Sequence, residues 1–323
     1  MLRKMSTVLV FAVMVVISYG AFQNPYSKDF VSSIKDSTLP VAKPADDALW
    51  QEIKEKASSY EKKAQNAKID RVWKKIPGLN GLAVDEEASY QKMKKKGSFD
   101  PSLFQYKQIT PDIQLKDLPA APIYRGHPDK QMVSLNINVS WGEEYIPEML
   151  NILKKHGVHA TFFIEGKWAN KHVDLVKMIQ EQGHVIGNHA YNHPDMKTLT
   201  KGQIEQQITK TNTILESITN DKPVLFAPPS GSFSQQVVLA AEEAGMETIL
   251  WSVDTVDWKK PAKEVLLERV LSKLHNGAFI LMHPTASSSQ ALDDLILKIE
   301  AKKYRIGTVL TLLDEKREAI QEQ

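Results

Sequence analysis

The sequence predicts an α/β protein in which about seven strand–helix units close into a barrel of parallel strands, preceded by a small α+β module. From Gln131 onward, short apolar runs alternate with amphipathic helices. Repeated units of this kind build a parallel sheet. No glycine-rich phosphate-binding motif follows the first strand, which favours a barrel over a doubly wound sheet.

The individual elements follow from the spacing of apolar residues. Helices show apolar residues at i, i+3, i+4 and i+7, as in Ile146, Met149, Leu150 and Leu153. Strands are short, mostly apolar runs between them. The predicted strands are 132–137, 160–164, 184–188, 224–226, 248–253, 278–282 and 304–309, and the helices between them include 172–182, 204–218 and 235–244.

The N-terminus has the pattern of an export signal. Arg3 and Lys4 precede an apolar run from Met5 to Phe22, which is the order of charge and hydrophobicity found in signal peptides. Ser18-Tyr19-Gly20 offers small residues for cleavage, while the length of the run equally suits a retained membrane anchor. Both alternatives predict an extracytoplasmic protein, secreted or membrane-anchored in a bacterial cell envelope.

A linker and a small module are predicted between this segment and the barrel. Residues 23–44 are polar and contain three prolines, which is typical of a tether. Helices are predicted over 45–68 and around 86–96. The predicted organisation is segment 1–22, linker 23–44, module 45–125, barrel domain 126–316 and tail 317–323.

Composition excludes several kinds of chemistry. The 323 residues include no cysteine, which excludes disulfides, thiolate metal sites and cysteine nucleophiles. The formal net charge is +2, so nucleic acid is not an expected partner.

Histidines, aspartates and a tryptophan follow several of the predicted strands. His189 and His193 follow the third strand, Asp257-Trp258 the fifth and His283 the sixth. Catalytic groups of parallel barrels lie at the C-terminal ends of the strands, so these side chains are expected at one mouth. Because Pro194 disfavours a helix through His193, the two histidines are expected on a loop. There they either share a divalent metal that activates water or are simply two surface histidines in a turn.

These residues, in this order, resemble the polysaccharide deacetylase family, also called the NodB-homology domain or carbohydrate esterase family 4, as a degenerate member of sporulation type. The resemblance covers about residues 125–315. The matching segments are Ala160-Thr161-Phe162-Phe163, Gly187-Asn188-His189 through His193-Pro194, Phe226 to Gly231, Trp251 to Trp258, and Leu281-Met282-His283. The resemblance implies a distorted (β/α) barrel that removes N- or O-acetyl groups from amino-sugar polymers such as peptidoglycan and chitin.

The resemblance also implies roles for the matching positions. His189 and His193 match the histidines that hold a divalent metal, commonly zinc. His283, paired with Asp257, matches the acid that protonates the leaving amine. The positions that match the substrate pocket are Pro229, Trp258 and Leu281.

The first family motif is lost in this chain. Where the family has two adjacent aspartates, the chain has Asn138 and Val139. Asn138 stands at the base position, where a carboxamide cannot accept a proton at neutral pH, and Val139 stands at the metal-ligand position without a donor atom. Ala227 replaces the arginine that orients the base. The resemblance therefore implies a protein that acts on or binds cell-wall polysaccharide, with weakly bound metal and with N-deacetylation strongly impaired or lost. The alternative is a non-catalytic wall-binding or scaffolding protein.

Several of these residues keep two interpretations. His283 with Asp257 is either a retained acid pair or a hydrogen-bonded pair that holds the barrel mouth. Trp258 either stacks on a sugar ring or serves packing. Glu143 and Glu144 either replace the lost carboxylates or supply charge at a helix N-terminus, and their position favours the second. The module of residues 45–125 is a further candidate for carrying the function.

Overall fold

The structure, a computed structural model, describes residues 47–317. The predicted export segment and linker lie outside these residues. Contacts divide the described chain into two compact units, residues 47–60 with Val84–Gln105, and Glu61–Ala83 with residues 106–317. Among residues 47–317, none of the helices combines the length and the hydrophobicity that a membrane span requires.

The first unit is built on two helices, α1 (Ala48–Tyr60) and α2 (Glu86–Lys96). Each helix buries an apolar face that contains Ile53 in α1 and Met93 in α2. The Asp85 carboxylate caps α2 by accepting a main-chain N–H of its first turn. The helix predicted around residues 86–96 is therefore observed.

The remaining strands and helices follow along the chain. In order they are β1 (Lys68–Asp70), β2 (Lys74–Ile76), β3 (Gly81–Val84), β4 (Tyr106–Ile109), β5 (Met132–Val139), α3 (Ile146–Lys155), β6 (Thr161–Ile164), α4 (Gly166–Lys171), α5 (Val173–Glu181), β7 (Val185–Asn188), α6 (Lys201–Thr219), β8 (Leu225–Phe226), α7 (Gln235–Glu243), β9 (Glu247–Thr248), β10 (Val253–Asp254), α8 (Lys263–Leu271), β11 (Phe279–Met282), α9 (Ala286–Ala301), β12 (Arg305–Gly307) and α10 (Val309–Leu313).

The main sheet is a curled sheet of parallel strands. Its order is β10-β11-β5-β6-β7-β8-β9, with β12 paired to the beginning of β5. The chain before β5 adds to this sheet, because Ile123 forms a parallel bridge with Ile249 and Arg125 an antiparallel bridge with Ala278. The predicted distorted (β/α) barrel is confirmed.

The described residues form three apolar clusters, and two of them lie on opposite faces of β5. Val133, Leu135, Ile137 and Val139 of β5 belong to a large cluster with residues of the surrounding helices. The other face contributes to a second cluster inside the barrel, which includes Phe163, Leu225 and Phe279. Successive side chains of a strand point to opposite faces. The residues of β5 that alternate with those of the outer cluster therefore face the barrel interior.

Three predicted elements have different bounds in the structure. The strand predicted over 248–253 is two short strands, β9 and β10, because the main-chain N–H groups of Ile249 and Leu250 donate to Phe226 and Ile123 instead. The helix predicted over 45–68 ends at Tyr60, and the following chain pairs with residues 79–82. The strand predicted over 304–309 ends at Gly307, where α10 follows.

Two buried histidines should make the protein less stable in mild acid. Burial lowers the pKa of both His127 and His184 to about 4, from an ordinary value of 6.5. Below pH 6.5 the unfolded chain therefore takes up protons that the folded chain does not. From pH 7.5 to pH 5 we expect the free energy of unfolding to fall by on the order of 2 kcal/mol for each histidine.

Urea unfolding at the two pH values measures this loss. His184→Gln should make the loss smaller, since a glutamine does not titrate. Equal unfolding free energies at pH 7.5 and pH 5 in the wild type would contradict the prediction.

Candidate functional site

The end of β5 presents amides to the barrel interior. Because Ile137 and Val139 belong to the outer apolar cluster, the alternate residues Ser134, Asn136 and Asn138 face the interior. Asn138 is buried and lies at the C-terminal mouth. Val139 is fully buried among apolar side chains. At the two positions that match the family's aspartates, the chain therefore has an amide that faces the barrel interior and an apolar side chain.

The histidine loop is shaped by a buried asparagine at the end of β7. The Nδ2 of Asn188 donates to the Ile208 carbonyl at 2.9 Å and to Asn212 Oδ1 at 2.7 Å, while its Oδ1 accepts the Ala190 N–H at 2.7 Å. This arrangement holds Ala190 in the left-handed region with φ 60°, which is rare for residues other than glycine. The loop is thus held in one strained shape by buried hydrogen bonds.

His189 and His193 lie side by side on this loop. Their ring centroids are 5.2 Å apart, His189 is buried and His193 is exposed. The Nδ1 of His189 donates to the Ala227 carbonyl at 2.7 Å, so the lone pair of the neutral ring is on Nε2. Burial lowers the pKa of His189 to about 3, and partial desolvation of the His193 ring lowers its pKa as well, although the residue as a whole is exposed. Both rings are therefore neutral at pH 7, the form in which imidazole ligates a metal.

The donor set for a metal is incomplete. Within residues 47–317, no group of three or more His, Cys, Asp or Glu side chains is arranged to hold a metal ion. Catalytic zinc sites in proteins use three protein ligands and one water. The two histidines fit as two of these ligands. Val139, which the resemblance places at the third ligand position, has no donor atom and lies in the outer apolar cluster.

Asp257 and His283 form a hydrogen-bonded pair. The Asp257 side chain is fully buried, and its Oδ1 lies 2.8 Å from the Nδ1 of His283. Its Oδ2 accepts the main-chain N–H of His283 at 2.6 Å and the hydroxyl of Ser288. The carboxylate thereby fixes the orientation of the imidazole, with Nε2 as the remaining nitrogen.

Local strain places Asp257 in this position. Val256 has φ 53°, a conformation that is an outlier for a β-branched residue. The carboxylate of Asp254 holds it by accepting the Val256 N–H at 2.7 Å. Asp254 thus has a structural role in this loop.

Two exposed tryptophans lie next to residues of the Asp257–His283 pair, Trp141 in space and Trp258 in sequence. The indole of Trp141 is parallel to the His283 ring, with centroids 5.9 Å apart and an angle of 8°, and Trp141 is 44% exposed. Gly142 permits this approach, because a Cβ there would lie 2.0 Å from the carbonyl oxygen of Pro284. Trp258, next to Asp257, is 53% exposed.

The other predicted pocket residues are mostly covered. Pro229 is buried in a short 3-10 turn, and Leu281 is buried on β11, beside Asn136 of β5. Glu143 lies in the 3-10 turn before α3 and accepts a hydrogen bond from Trp168 at 3.4 Å. That contact fits the helix-terminus interpretation of Glu143.

Sequence reasoning missed two residues of the site. Trp141 lies two residues after Val139 of the degenerate first motif, and this proximity was the only available signal. Ser288 lies in the first turn of α9 and carries no signal that would distinguish it from an ordinary helix serine.

Comparisons with known proteins agree with this geometry. Residues 125–249 match the polysaccharide deacetylase family model. The chain is 49% identical to the Bacillus subtilis protein YlxY over 98% of this chain and 99% of that one. It is 32% identical to the B. subtilis peptidoglycan-N-acetylmuramic acid deacetylase PdaA over 60% of this chain and 75% of that one.

Solved structures extend the comparison. BA3943 of Bacillus anthracis, described as a pseudoenzyme of carbohydrate esterase family 4, is 51% identical with a TM-score of 0.79, over 84% of this chain and 97% of that one. A BA3943 mutant described as having restored enzymatic activity is 50% identical with a TM-score of 0.79, over 84% of this chain and all of that one. Together with the shared motifs, these matches show that the chain belongs to the polysaccharide deacetylase family.

Proposed function

We propose that the chain binds amino-sugar polymers of the bacterial cell wall, such as peptidoglycan, and that its N-deacetylation is strongly impaired or lost. The observation that carries this proposal is the end of β5, where Asn138 and Val139 replace two carboxylates. A positioned general base contributes about 10²–10⁴-fold in rate. Its loss therefore removes most of the turnover even where other groups remain.

The acid half of the site supports binding without cleavage. Because Nδ1 of His283 faces Asp257, the proton that His283 can give is on Nε2. A ligand amide can bind at this proton. Asn138 has no carboxylate, however, and so cannot activate a water to attack that amide. The pair then orients a ligand and does not complete its hydrolysis.

We also propose that His189 and His193 hold a divalent cation such as zinc, and hold it weakly. The free Nε2 of His189 and the neutral form of both rings support this. A bound metal supplies Lewis acidity toward an acetyl carbonyl. The missing third protein ligand is the reason to expect low affinity.

The exposed indoles support a sugar as the ligand. Trp141 stacks on His283, Trp258 follows Asp257 in the chain, and both indoles are exposed. Aromatic side chains provide a large contact area with one polar group, which suits the apolar face of a pyranose ring. The names of relatives such as PdaA support peptidoglycan as the polymer.

Two assays test the proposed function. Binding to insoluble peptidoglycan and to acetylated chito-oligomers is measured by co-sedimentation and calorimetry, and acetate release is measured with added zinc or cobalt. We expect binding that Trp141→Ala weakens about 10-fold, with little or no acetate release. Val72→Ala, at an exposed residue of the β1–β2 turn, is the control. Rapid acetate release, or no binding to either polymer, would contradict the proposal.

The same replacements favour a second candidate, a non-catalytic scaffolding protein. For a scaffolding protein, we expect no acetate release even when Asn138, Val139 and Ala227 are replaced by the residues that the family has there. The variants described in the Discussion separate the two.

We further propose that the chain acts outside the cytoplasm. Arg3, Lys4 and the apolar run that follows support export. A reporter that is active only outside the cytoplasm, fused to Gln323, should give a signal. Its absence would count against export.

A further inference from the structure

A cleft lies at the N-terminal end of the barrel, where the strands begin. Its volume is about 450 Å³, within the range of about 300–1,000 Å³ that is usual for ligand sites. It is lined by residues of β12 and α10, by the first residue of β7 and by residues that precede β6 and β7. Because β12 pairs with the first residues of β5, these segments meet at the end of the barrel opposite to the candidate site. The cleft is therefore separate from that site.

The polar side chains that line the cleft favour an anion. Arg305 of β12 and His159, in the loop before β6, both line it, and both residues are exposed. A guanidinium has five N–H groups, so Arg305 can bind a ligand in addition to its contacts within the chain. The hydroxyls of Thr308 and Thr311 are 3.0 Å apart, and the proton that this bond does not use can be donated to a ligand. Among the described residues that line the cleft, none is an aspartate or a glutamate.

A second cation lies close to Arg305. The ammonium of Lys130 donates to the main-chain carbonyls of Thr311 and Asp314. Burial lowers the pKa of Lys130, and the charge of Arg305 lowers it further, which shows that the two cations are near each other. Asp314 and Glu315 raise the pKa of Lys130, but neither of them lines the cleft. An anion bound at Arg305 is therefore also attracted by Lys130.

A buried donor lies beside one wall of the cleft, on His184. Its Nδ1 accepts the main-chain N–H of Ala160 at 3.1 Å, so the neutral ring carries its proton on Nε2. This Nε2 is buried and has no partner among the described residues, although buried polar groups are nearly always hydrogen-bonded. The ring centroid is 5.8 Å from that of His159, which lines the cleft. An acceptor that a ligand places beside His159 is therefore close to a second N–H donor.

The rest of the lining is apolar, and it restricts the kind of anion. Met132, Val185 and Ile306 line the cleft together with Gly307. Gly307 brings β12 close to Met132, because a Cβ at this glycine would lie 2.9 Å from the Met132 Sδ. A phosphate group would leave this apolar surface uncovered, whereas the terminal carboxylate of an alanine has a methyl group beside it. The lining thus favours a peptide carboxylate with a small apolar side chain.

We propose that this cleft binds the C-terminal carboxylate of a short peptide that ends in alanine, the chemical class to which the stem peptides of peptidoglycan belong. The carboxylate accepts two parallel N–H bonds from Arg305, and the alanine methyl contacts Met132 and Val185. This inference goes beyond the proposed function, because it adds a second contact with the polymer at the other end of the barrel. It rests on that function only for the source of the peptide.

Calorimetry with a peptide that carries no sugar tests the proposal. The probe is N-acetyl-D-alanyl-D-alanine, and it is compared with its C-terminal amide and with glycerol phosphate. We expect the wild type to bind the free acid about 10-fold more tightly than the amide, which is the effect of hydrogen bonds to a charged group. Glycerol phosphate should bind more weakly than the free acid, because it leaves the apolar lining uncovered.

Variants of one exposed arginine identify the residue responsible. Arg305→Gln should weaken the binding of the free acid about 10-fold and leave that of the amide unchanged. Arg305→Lys keeps the charge but not the paired N–H donors, so it should lose less. Arg71→Gln makes the same change at an exposed arginine of the β1–β2 turn and should keep the wild-type affinity. Thermal midpoints check the folding of each variant, and the comparison of acid with amide in the wild type needs no variant.

Four outcomes overturn the proposal. They are no binding of the free acid, equal affinities of the wild type for acid and amide, an unchanged affinity in a folded Arg305→Gln, and tighter binding of glycerol phosphate than of the peptide. The last of these would make the cleft a phosphate site. Each leaves polymer binding at the opposite end of the barrel untouched. A protein that binds the peptide acid but neither peptidoglycan sugars nor chito-oligomers would contradict only the proposed function.

Discussion

A variant that carries Asn138→Asp, Val139→Asp and Ala227→Arg together should deacetylate an acetylated oligomer about 10²–10⁴-fold faster than the wild type under saturating zinc, because it regains a positioned base. The groups that the base must work with are held in place in the structure. His189 is anchored on the Ala227 carbonyl, a main-chain contact that Ala227→Arg retains. His283 is anchored on Asp257.

The single variants show which loss limits the rate. Asn138→Asp alone should give a smaller but visible gain. Ala227→Arg should help only together with Asn138→Asp, because Ala227 is buried and a buried guanidinium without its carboxylate costs stability. The assay compares the wild type, the three single variants and the triple variant on one oligomer. A triple variant that folds and binds zinc but shows no turnover would favour the scaffolding protein.

Val139→Asp alone should make stability depend on zinc. Val139 is fully buried in the apolar cluster around β5, and an unpaired carboxylate in such a place costs about 3–5 kcal/mol. Zinc held by His189 and His193 gives this carboxylate a cation to ligate when the end of β5 turns the side chain from the outer apolar cluster toward the mouth. We therefore expect a large loss of unfolding free energy in chelator and a partial recovery with zinc, both measured by urea unfolding.

Two controls isolate the metal from the change in packing. Val139→Ala also loses packing, but zinc should stabilise it no more than it stabilises the wild type. His189→Ala and His193→Ala, added to Val139→Asp, should abolish the recovery, and the same two changes in the wild type should remove zinc binding in calorimetry. If zinc does not stabilise Val139→Asp, the side chain at this position does not face the histidines.

The strand–helix units of the barrel could be predicted because the spacing of apolar residues within each element indicates its type. Helix α3 buries Ile146, Met149, Leu150 and Leu153, the residues whose spacing predicts it. The single strand predicted over 248–253 was wrong because a segment distant in the sequence decides the pairing there. Its apolar composition is that of a continuous strand, but Ile123, distant in the sequence, takes the hydrogen-bonding position beside Ile249.

The candidate site likewise has a part that could be predicted from the sequence and a part that could not. The side chains at the strand ends could be named from sequence, since parallel strands bring their C-terminal ends to one mouth. The stacking of Trp141 on His283 and the bond from Ser288 to Asp257 could not be predicted. Such contacts depend on how the loops approach each other in space.

The sequence by itself determined the order of the elements, the family to which the motifs belong and the absence of a carboxylate at Asn138 and Val139. These are properties of residue identity and of spacing within one element. Only the tertiary structure decided that Val139 lies in an apolar cluster, that Trp141 stacks on His283 and that the Nδ2 of Asn136 lacks a partner in the described chain. Burial and hydrogen bonding depend on neighbours from other strands, and the curl of the sheet sets which neighbours those are.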